Sequence, residues 1–275
     1  MRIFAAVGLM VTVTLLFQPW ALAESKMISL TESTDSGERE EEARKVFDDL
    51  AEKMTKAREA HYKPLQVARE KGLSGKELDK IELDPELEPI KVVGPEMMKA
   101  IQKYAGTAAA LEACDQMLGM AGRSKDQSWM VEKVVGVLRT DYIEDPELLQ
   151  VVRYAYYGSD CSAMLDFLRT VVSDSPHRKV QAASCYSLAK MLGKKEETRK
   201  DGLAMLRKVE TQFGDVSVRG DRVYGDLVKG DLFEMENLQV GCVAPEIIGK
   251  EISGKLMQLS AFRGKVVLLD FWGDW

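Results

Sequence analysis

The sequence predicts a mainly α protein whose last residues change to a β-hairpin and one strand. Three observations lead to this prediction. Apolar residues recur at steps of three and four through most of the chain, which is the spacing of one helical face. An aspartate or serine followed by proline stands before two of these stripes, a pattern typical of helix starts. After Val240 the spacing changes to a turn and then to a continuous apolar run, which indicates a buried strand.

Length and charge limit the classes of partner. A chain of 275 residues has room for two domains. Its net charge is -6, and no block of lysine or arginine interrupts the acidic balance. Because phosphate binding needs a basic surface, we expect no nucleic-acid partner.

The first 23 residues predict a secretory signal peptide. A basic start at Arg2 precedes an apolar or neutral run from Ile3 to Phe17, and Ala21-Leu22-Ala23 supplies the small residues that signal peptidase recognises. The run is short for a membrane span, which needs roughly 20 residues. Cleavage after Ala23 is therefore the favoured interpretation, and an uncleaved anchor is the alternative. We expect an exported protein, periplasmic or extracellular, with membrane contact only through an uncleaved signal segment.

A helical domain is predicted over residues 36–214. It follows a polar, turn-rich segment at 24–35 that we expect to be a disordered lead, and Asp35 or Ser36 can cap the first helix. Short helices joined by short loops favour antiparallel helical pairs. Three glycines interrupt residues 215–239, which we interpret as a connector.

The apolar stripes place the individual helices of this domain. The first, long helix is followed by a proline-containing loop from Ser74 to Gly94, and helical spacing resumes at Pro95. Asp145-Pro146 and Ser175-Pro176 each combine a capping residue with a proline at the first helical position. The later stripes are Met97–Tyr104, Ala108–Leu118, Trp129–Leu138, Leu148–Tyr156, Met164–Val171, Val180–Met191 and Leu203–Phe213.

The cysteines lack the spacing of a redox pair or a metal site. Cys114, Cys161, Cys185 and Cys242 are separated by long intervals, and no histidine follows any of them at ligand spacing. In an oxidising compartment, Cys161 and Cys185 on neighbouring predicted helices could form a disulfide. Two buried, unpaired thiols are the favoured interpretation, because free cysteine behaves as a small apolar residue.

The two histidines, His61 and His177, lie far apart on predicted helices. We expect them at the surface or at helix ends rather than in a metal site or an acid–base pair. No phosphate-binding glycine loop is present in the sequence either. We therefore expect no metal and no bound cofactor.

The segment after Val240 predicts β structure. Pro245–Ile248 can begin a strand, Ser253-Gly254 gives a turn, and Lys255–Leu259 can return antiparallel to complete a hairpin. Leu259–Gly264 indicates a short helical turn closed by glycine. The run Lys265–Trp272 is rich in valine and leucine, as expected of a strand that is buried on both faces.

Two stretches of this segment resemble motifs of redoxin domains. Residues 240–245 read Val-Gly-Cys-Val-Ala-Pro and resemble the opening motif V-G-x-x-A-P, and residues 259–272 resemble the signature L-S-x-y-R-G-K-v-v-l-l-d-F-W. Over residues 240–275 the chain is thus similar to exported thiol-disulfide oxidoreductases of the TlpA and ResA type. These are relatives of the alkyl hydroperoxide reductase and thiol-specific antioxidant group in the thioredoxin superfamily. The resemblance implies the first part of a thioredoxin-like α/β domain.

The resemblance also implies where the redox chemistry would lie. In such proteins the strand leads through F-W-A-x-W into C-x-x-C, so Phe271, Trp272 and Trp275 take the positions that flank the active site. The attacking cysteine is expected immediately after Trp275, and no catalytic residue is expected within the 275 residues. Cys242 falls in the opening motif, where the family has no catalytic residue. The implied substrates are a thiol or disulfide protein or a peroxide, and the implied class is oxidoreductase.

We therefore expect this chain to be an amino-terminal fragment of a longer redoxin that is inactive by itself. Thioredoxin-like exchange needs a thiolate of lowered pKa and a second cysteine that resolves the mixed disulfide. The sequence contains no Cys-x-x-Cys. An alternative function is a helical module that binds a partner and carries a vestigial redoxin tail.

Overall fold

The computed structural model describes residues 19–121, 128–158 and 161–273. Within these residues the chain is mainly helical, as the sequence predicts. The helices, in chain order, are α1 (Pro19–Glu70), α2 (Pro89–Lys103), α3 (Ala108–Ala121), α4 (Ser128–Asp141), α5 (Leu148–Val152), α6 (Ser162–Asp174), α7 (Arg178–Gly193), α8 (Arg199–Phe213) and α9 (Tyr224–Asn237). The strands are β1 (Ser217–Arg219), β2 (Arg222–Val223), β3 (Ile248–Lys250) and β4 (Leu256–Gln258).

One hydrophobic core extends through the helices from α1 to α9. Helices that follow one another in sequence pack together, α1 on α2, α6 on α7, α7 on α8 and α8 on α9. The buried side chains of α1 show why the periodicity was informative. Ala43, Phe47, Leu50 and Met54 follow one another at steps of three and four, and all are buried. The apolar stripe of the sequence is thus the face that the helix turns to the core.

The first helix starts earlier than the sequence predicts. It is continuous from Pro19, so residues 24–35 are helical rather than a disordered lead, and the helix does not begin at Asp35 or Ser36. Between Pro19 and Pro64 no proline removes a backbone donor, and a helix that is already nucleated by its packed part extends at little cost. Residues 1–18 of the predicted signal peptide lie outside the described part of the chain.

The second helix also starts earlier, at Pro89 instead of Pro95. Pro89 takes the first helical position, where a missing N–H costs nothing. The extra turn buries Ile90 and Val93, both 3 % exposed. Burial of two such side chains contributes roughly 1.5–3 kcal/mol each, which offsets the cost of about 3 kcal/mol for Pro95 inside the helix.

The helix predicted over Leu148–Tyr156 divides into two pieces. The predicted Asp145 cap is wrong, since α5 begins at Leu148 with Glu147 at the N-cap position. The Asp145 carboxylate instead accepts a hydrogen bond from the Glu147 N–H at 2.8 Å, in the turn that precedes the helix. Regular α geometry ends at Val152, and a 3-10 helix follows over Ala155–Tyr157. This change of backbone matters for the surface, since it places Tyr154 and Tyr157 outside the core, 59 % and 76 % exposed.

Residues 215–239, which the sequence predicts to be a connector, are part of the helical body. This name denotes the helices α1 to α9 and the short segments between them, which share one hydrophobic core. The hairpin β1–β2 leads into α9, which packs on α8. Tyr224, Val228 and Leu232 recur every four residues in α9, and all three are buried. The glycines that suggested a connector include Gly225, whose N–H donates to the Gly214 carbonyl at 2.9 Å. A side chain there would prevent this close approach, since a Cβ on Gly225 would lie 2.8 Å from the same oxygen.

The carboxy-terminal segment forms the predicted hairpin but not the predicted strand. Strands β3 and β4 pair antiparallel, with Ile248 opposite Gln258. The predicted helical turn is a 3-10 helix over Leu259–Phe262, and Gly264 closes it with a φ of +83°. Residues 265–272 make no strand ladder. The reason is physical, because a strand needs a neighbour for its backbone groups and the hairpin does not pair with this run.

Candidate functional site

The residues that the redoxin resemblance singles out are on the surface. Phe271 and Trp272 are 79 % and 85 % exposed, and Trp275 lies outside the described residues. What the structure does bring together is the pair of motif segments that precede them.

A carboxylate joins the opening motif to the signature motif. Glu246, next to the opening motif, accepts a hydrogen bond from the Ser260 backbone N–H at 3.1 Å, and the Leu259 N–H donates to the Ile247 carbonyl at 3.0 Å. The hydrogen bonds to Ser260 hold the pKa of Glu246 below its ordinary value. The hairpin, the 3-10 helix and the opening motif therefore form one small unit.

This unit encloses a cavity of about 210 Å³, here called the motif cavity. Its wall contains Val243 and Pro245 from the opening motif and Leu259, Phe262 and Val267 from the signature. Apolar side chains separated by up to 24 positions in sequence thus meet at one place (243 to 267). The cavity is open to solvent, and Glu246, Ser260 and Arg263 also line it, whereas none of its described lining residues is a cysteine.

The thiols of the buried cysteines, Cys114 and Cys185, are expected to be unreactive. Burial raises the pKa of the Cys114 thiol to about 12 and that of Cys185 to about 11, so both stay protonated at neutral pH. Cys185 donates to the Met205 carbonyl at 3.6 Å and is a free thiol, so no disulfide joins it to Cys161. A protonated, buried thiol is a poor nucleophile.

Cys242, in the motif at residues 240–245, has an exposed thiol. Its sulfur lies 3.9 Å from the carbonyl oxygen of Glu236. A carbonyl oxygen is an acceptor and gives a thiolate no stabilisation, whereas reactive cysteines sit beside cations or helix amino termini.

The histidines take structural positions that only partly match expectation. His177 caps α7, as a helix-end role requires, and its Nε2 lies 2.8 Å from the Glu144 carbonyl oxygen. His61 lies within the length of α1 and its side chain is buried, with Nδ1 3.0 Å from the Asp84 carbonyl oxygen. The surface position expected for it is therefore wrong. The cause is the chain after α1, which folds back over His61 at the 3-10 helix around Pro85.

A second cavity, of about 180 Å³, lies in the helical body and was not foreseen. We call it the tyrosine pocket, because Tyr154 and Tyr157 line it together with Asp115 of α3 and Met164 of α6. The only sequence signal for it is the aromatic cluster Tyr154-Ala155-Tyr156-Tyr157. Helical spacing places Tyr156 of this cluster on the core face, where it is partly buried, and predicts no position for Tyr154 and Tyr157.

Comparison with known proteins finds no matching family model, no similar curated protein and no similar solved structure. Within residues 19–121, 128–158 and 161–273, no helix has the length and apolar character to cross a membrane. The same residues contain no cluster of three or more side chains that could ligate a metal ion.

Proposed function

We propose that this chain belongs to an exported thiol-disulfide oxidoreductase or peroxide-reducing redoxin, in which residues 240–275 open a thioredoxin-like domain. In this proposal the helical body is an amino-terminal domain of antiparallel helical pairs, and a signal peptide directs the protein to the periplasm or outside the cell. The support is the motif-bearing segment itself, since the two motifs that suggested a redoxin are the segments that Glu246 and Ser260 join.

One observation carries the proposal. The side chains of the apolar run are exposed, and their exposure alternates from residue to residue as it does along a strand. Val266 and Leu268 are 103 % and 93 % exposed, whereas the intervening Val267 and Leu269 are 41 % and 47 % exposed. A period of two is the side-chain period of β structure. Val267 lines the motif cavity, so one side of the run already faces the opening motif and the 3-10 helix.

The exposed side of this run calls for a covering layer. Each large apolar residue contributes roughly 1.5–3 kcal/mol when it is buried. An uncovered apolar strand edge invites aggregation, and natural proteins avoid it. In a thioredoxin-like domain the covering layer is made of further strands and helices, and the redox cysteines follow the strand. The packing requirement and the redox assignment therefore both call for the further strands and helices of a thioredoxin-like domain.

Within the 275 residues the expected redox activity is zero. Exchange proceeds by attack of a thiolate on a disulfide, which forms a mixed disulfide that a second thiolate resolves. Cys114 and Cys185 are buried and protonated, and Cys242 has no second cysteine near it in sequence. No pair in the described chain has the arrangement that both steps need.

Two measurements test the proposal. The coding sequence that follows the Trp275 codon should contain a Cys-x-x-Cys motif in one of its frames, and its absence from all three would contradict the redoxin assignment. The 275-residue chain should reduce insulin disulfides and consume peroxide no faster than free thiol alone. Thiol-dependent turnover that Cys242→Ser abolishes would show that this cysteine is catalytic and that the proposed site is misplaced.

A helical partner-binding module is the second candidate, favoured by the exposure of Tyr154 and Tyr157. Tyrosine is enriched in protein interfaces, and two such rings together on a monomer surface are unusual. If binding is the function of the helical body, residues 19–237 should unfold cooperatively as a monomer, with the same urea midpoint as the full chain. A strongly lowered midpoint would make the carboxy-terminal segment part of the folded unit and contradict this candidate.

A further inference from the structure

The tyrosine pocket is a formed concavity with walls from four separate elements. Asp115 and Leu118 come from α3, Val151 from α5, Tyr154 and Tyr157 from the turn that follows, and Met164 from α6, with further lining residues. Its volume is about 180 Å³, and one water occupies about 30 Å³ of liquid. The pocket therefore suits a ligand of a few heavy atoms, well below the 300–1,000 Å³ of a typical cofactor site.

Asp115 supplies a negative charge that nothing in the described chain neutralises. Asp115, Leu118 and Gly119 are three and four residues apart, so they share one face of α3. The carboxylate makes no hydrogen bond and no ion pair with any described residue, whereas Glu112, one turn earlier, lies 3.8 Å from Arg44. Asp115 is largely exposed to solvent, and the desolvation that it does undergo raises the pKa of its carboxyl. Among the described residues, this carboxylate has no positive partner.

The tyrosine rings supply the second component of a cation site. The ring centroids of Tyr154 and Tyr157 are 6.4 Å apart, with planes inclined by 33°. Tyr157 also packs against Tyr156, whose ring centroid is 4.2 Å away. Both pocket rings remain largely exposed, and the face of an aromatic ring attracts a cation within about 6 Å of its centroid.

We propose that the tyrosine pocket binds a small organic ammonium ion, held by the charge of Asp115 and by the faces of Tyr154 and Tyr157. The apolar wall, with Leu118, Val151 and Met164, suits alkyl groups on the nitrogen. A divalent metal does not fit, because one carboxylate among apolar side chains falls short of the six to eight oxygens that calcium requires. An anion is excluded by the carboxylate itself. This inference does not depend on the redoxin proposal.

Choline and its uncharged isostere 3,3-dimethylbutan-1-ol separate charge recognition from simple apolar binding. The two ligands have nearly the same shape, so only the cation distinguishes them. In a titration of the full chain followed by NMR, the Tyr154 and Tyr157 ring signals should shift saturably with choline. The neutral alcohol lacks both the cation–π contact and the attraction to Asp115, so it should bind more than about tenfold more weakly than choline. Equal affinities, or no saturable shift at millimolar choline, would overturn the proposal.

Variants assign the contributions to individual side chains. Asp115→Asn keeps the shape and removes the charge, and it should weaken choline binding about tenfold while leaving the neutral alcohol unaffected. Tyr157→Leu should weaken choline binding, and Tyr157→Phe should preserve it, because the ring face rather than the hydroxyl makes the contact. Glu112→Gln, one turn away on α3, is the matched control and should leave binding unchanged.

The pH dependence gives a test that folding defects cannot imitate. Choline binds the ionised carboxylate, so bound choline should lower the pKa of Asp115, which burial raises in the free protein. Affinity should therefore be full above the pKa of the free protein and should fall as pH drops through it. The Asp115→Asn variant should show no such decline. A decline of equal size in that variant would assign the effect to another group and contradict the proposed site.

Discussion

The same substitution, glycine to alanine, should change stability in opposite directions in two helices of this protein. Gly202 lies in α8 where α8 packs on α7, and a Cβ there would be 2.7 Å from the Gly193 backbone nitrogen and 3.0 Å from the Ala189 carbonyl oxygen. Both contacts are with backbone, so no side chain can rotate away. Gly136 lies in α4, and a Cβ at that position would meet no heavy atom within 4 Å.

The expected magnitudes follow from these distances. Neither glycine has a positive φ, so alanine is compatible with the backbone at both positions and gains about 0.5–1 kcal/mol from reduced freedom of the unfolded chain. At Gly136 nothing opposes that gain. At Gly202 the two helices must separate, and overpacking of this kind costs about 1–3 kcal/mol. With the gain from alanine subtracted from this cost, we expect Gly202→Ala to lower the free energy of unfolding by about 1 kcal/mol.

Urea unfolding of the full chain, followed by far-ultraviolet circular dichroism, measures both effects. The midpoint should rise for Gly136→Ala and fall for Gly202→Ala, with an unchanged slope in each case. Because the substitutions are chemically identical, the difference between them isolates the contact between α7 and α8. A Gly202→Ala protein as stable as the Gly136→Ala protein would show that these helices are not packed as closely as the structure describes.

Three further predictions concern the contacts that fix the body and the accessibility of the thiols. Glu40 accepts hydrogen bonds from two backbone N–H groups at the start of α3, the nearer at 2.8 Å. In a thermal melt, Glu40→Ala should therefore lower the free energy of unfolding by about 1 kcal/mol. The control Glu41→Ala, on a solvated face, should lower it by less than about 0.5 kcal/mol. Asp231 bonds a tyrosine at 2.8 Å and a lysine at 2.6 Å on α7, so Asp231→Ala should cost about 1–3 kcal/mol, measured as a lowered urea midpoint. Maleimide at pH 8 should label the exposed Cys242 in the folded protein and leave Cys114 unlabelled until urea is added, as peptide mass mapping would show.

Sequence spacing was sufficient for the helices that bury one continuous face. In α6 and α8 the apolar residues recur at helical steps, and the structure buries the same side chains, for example Phe167, Leu206 and Val209. The hairpin of β3 and β4 was also foreseen, because Ser253-Gly254 is a local turn signal and Gly254 has a φ of +84°. These features depend on residues close in sequence, which is why the sequence alone predicts them.

Two glycines explain why the sequence predicts the end of the helical domain at residue 214, before α9. Glycine has a low helix propensity, so Gly225 and Gly230 lead the sequence to predict a connector over residues 215–239. The structure gives Gly225 a tertiary reason, since it lets the backbone of α9 approach Gly214. A one-letter sequence does not distinguish a glycine that breaks a helix from one that permits two backbones to meet. The tyrosine pocket was missed for a similar reason, because the turn after Val152 decides that its tyrosines face outward.

The body and the carboxy-terminal run bury apolar residues in different ways, and this difference bears on the redox proposal. A helix of the body has one apolar face and needs one neighbouring layer. The run after Gly264 is apolar at successive positions, so with a period of two it presents apolar side chains on both faces and needs two layers. The motif cavity accommodates Val267 on one face, while Val266 and Leu268 on the other face remain fully exposed. A layer that covers them would turn the run into an interior strand of an α/β sheet. Trp272 would then lie at the carboxyl end of that strand, which is where α/β folds place their reactive groups.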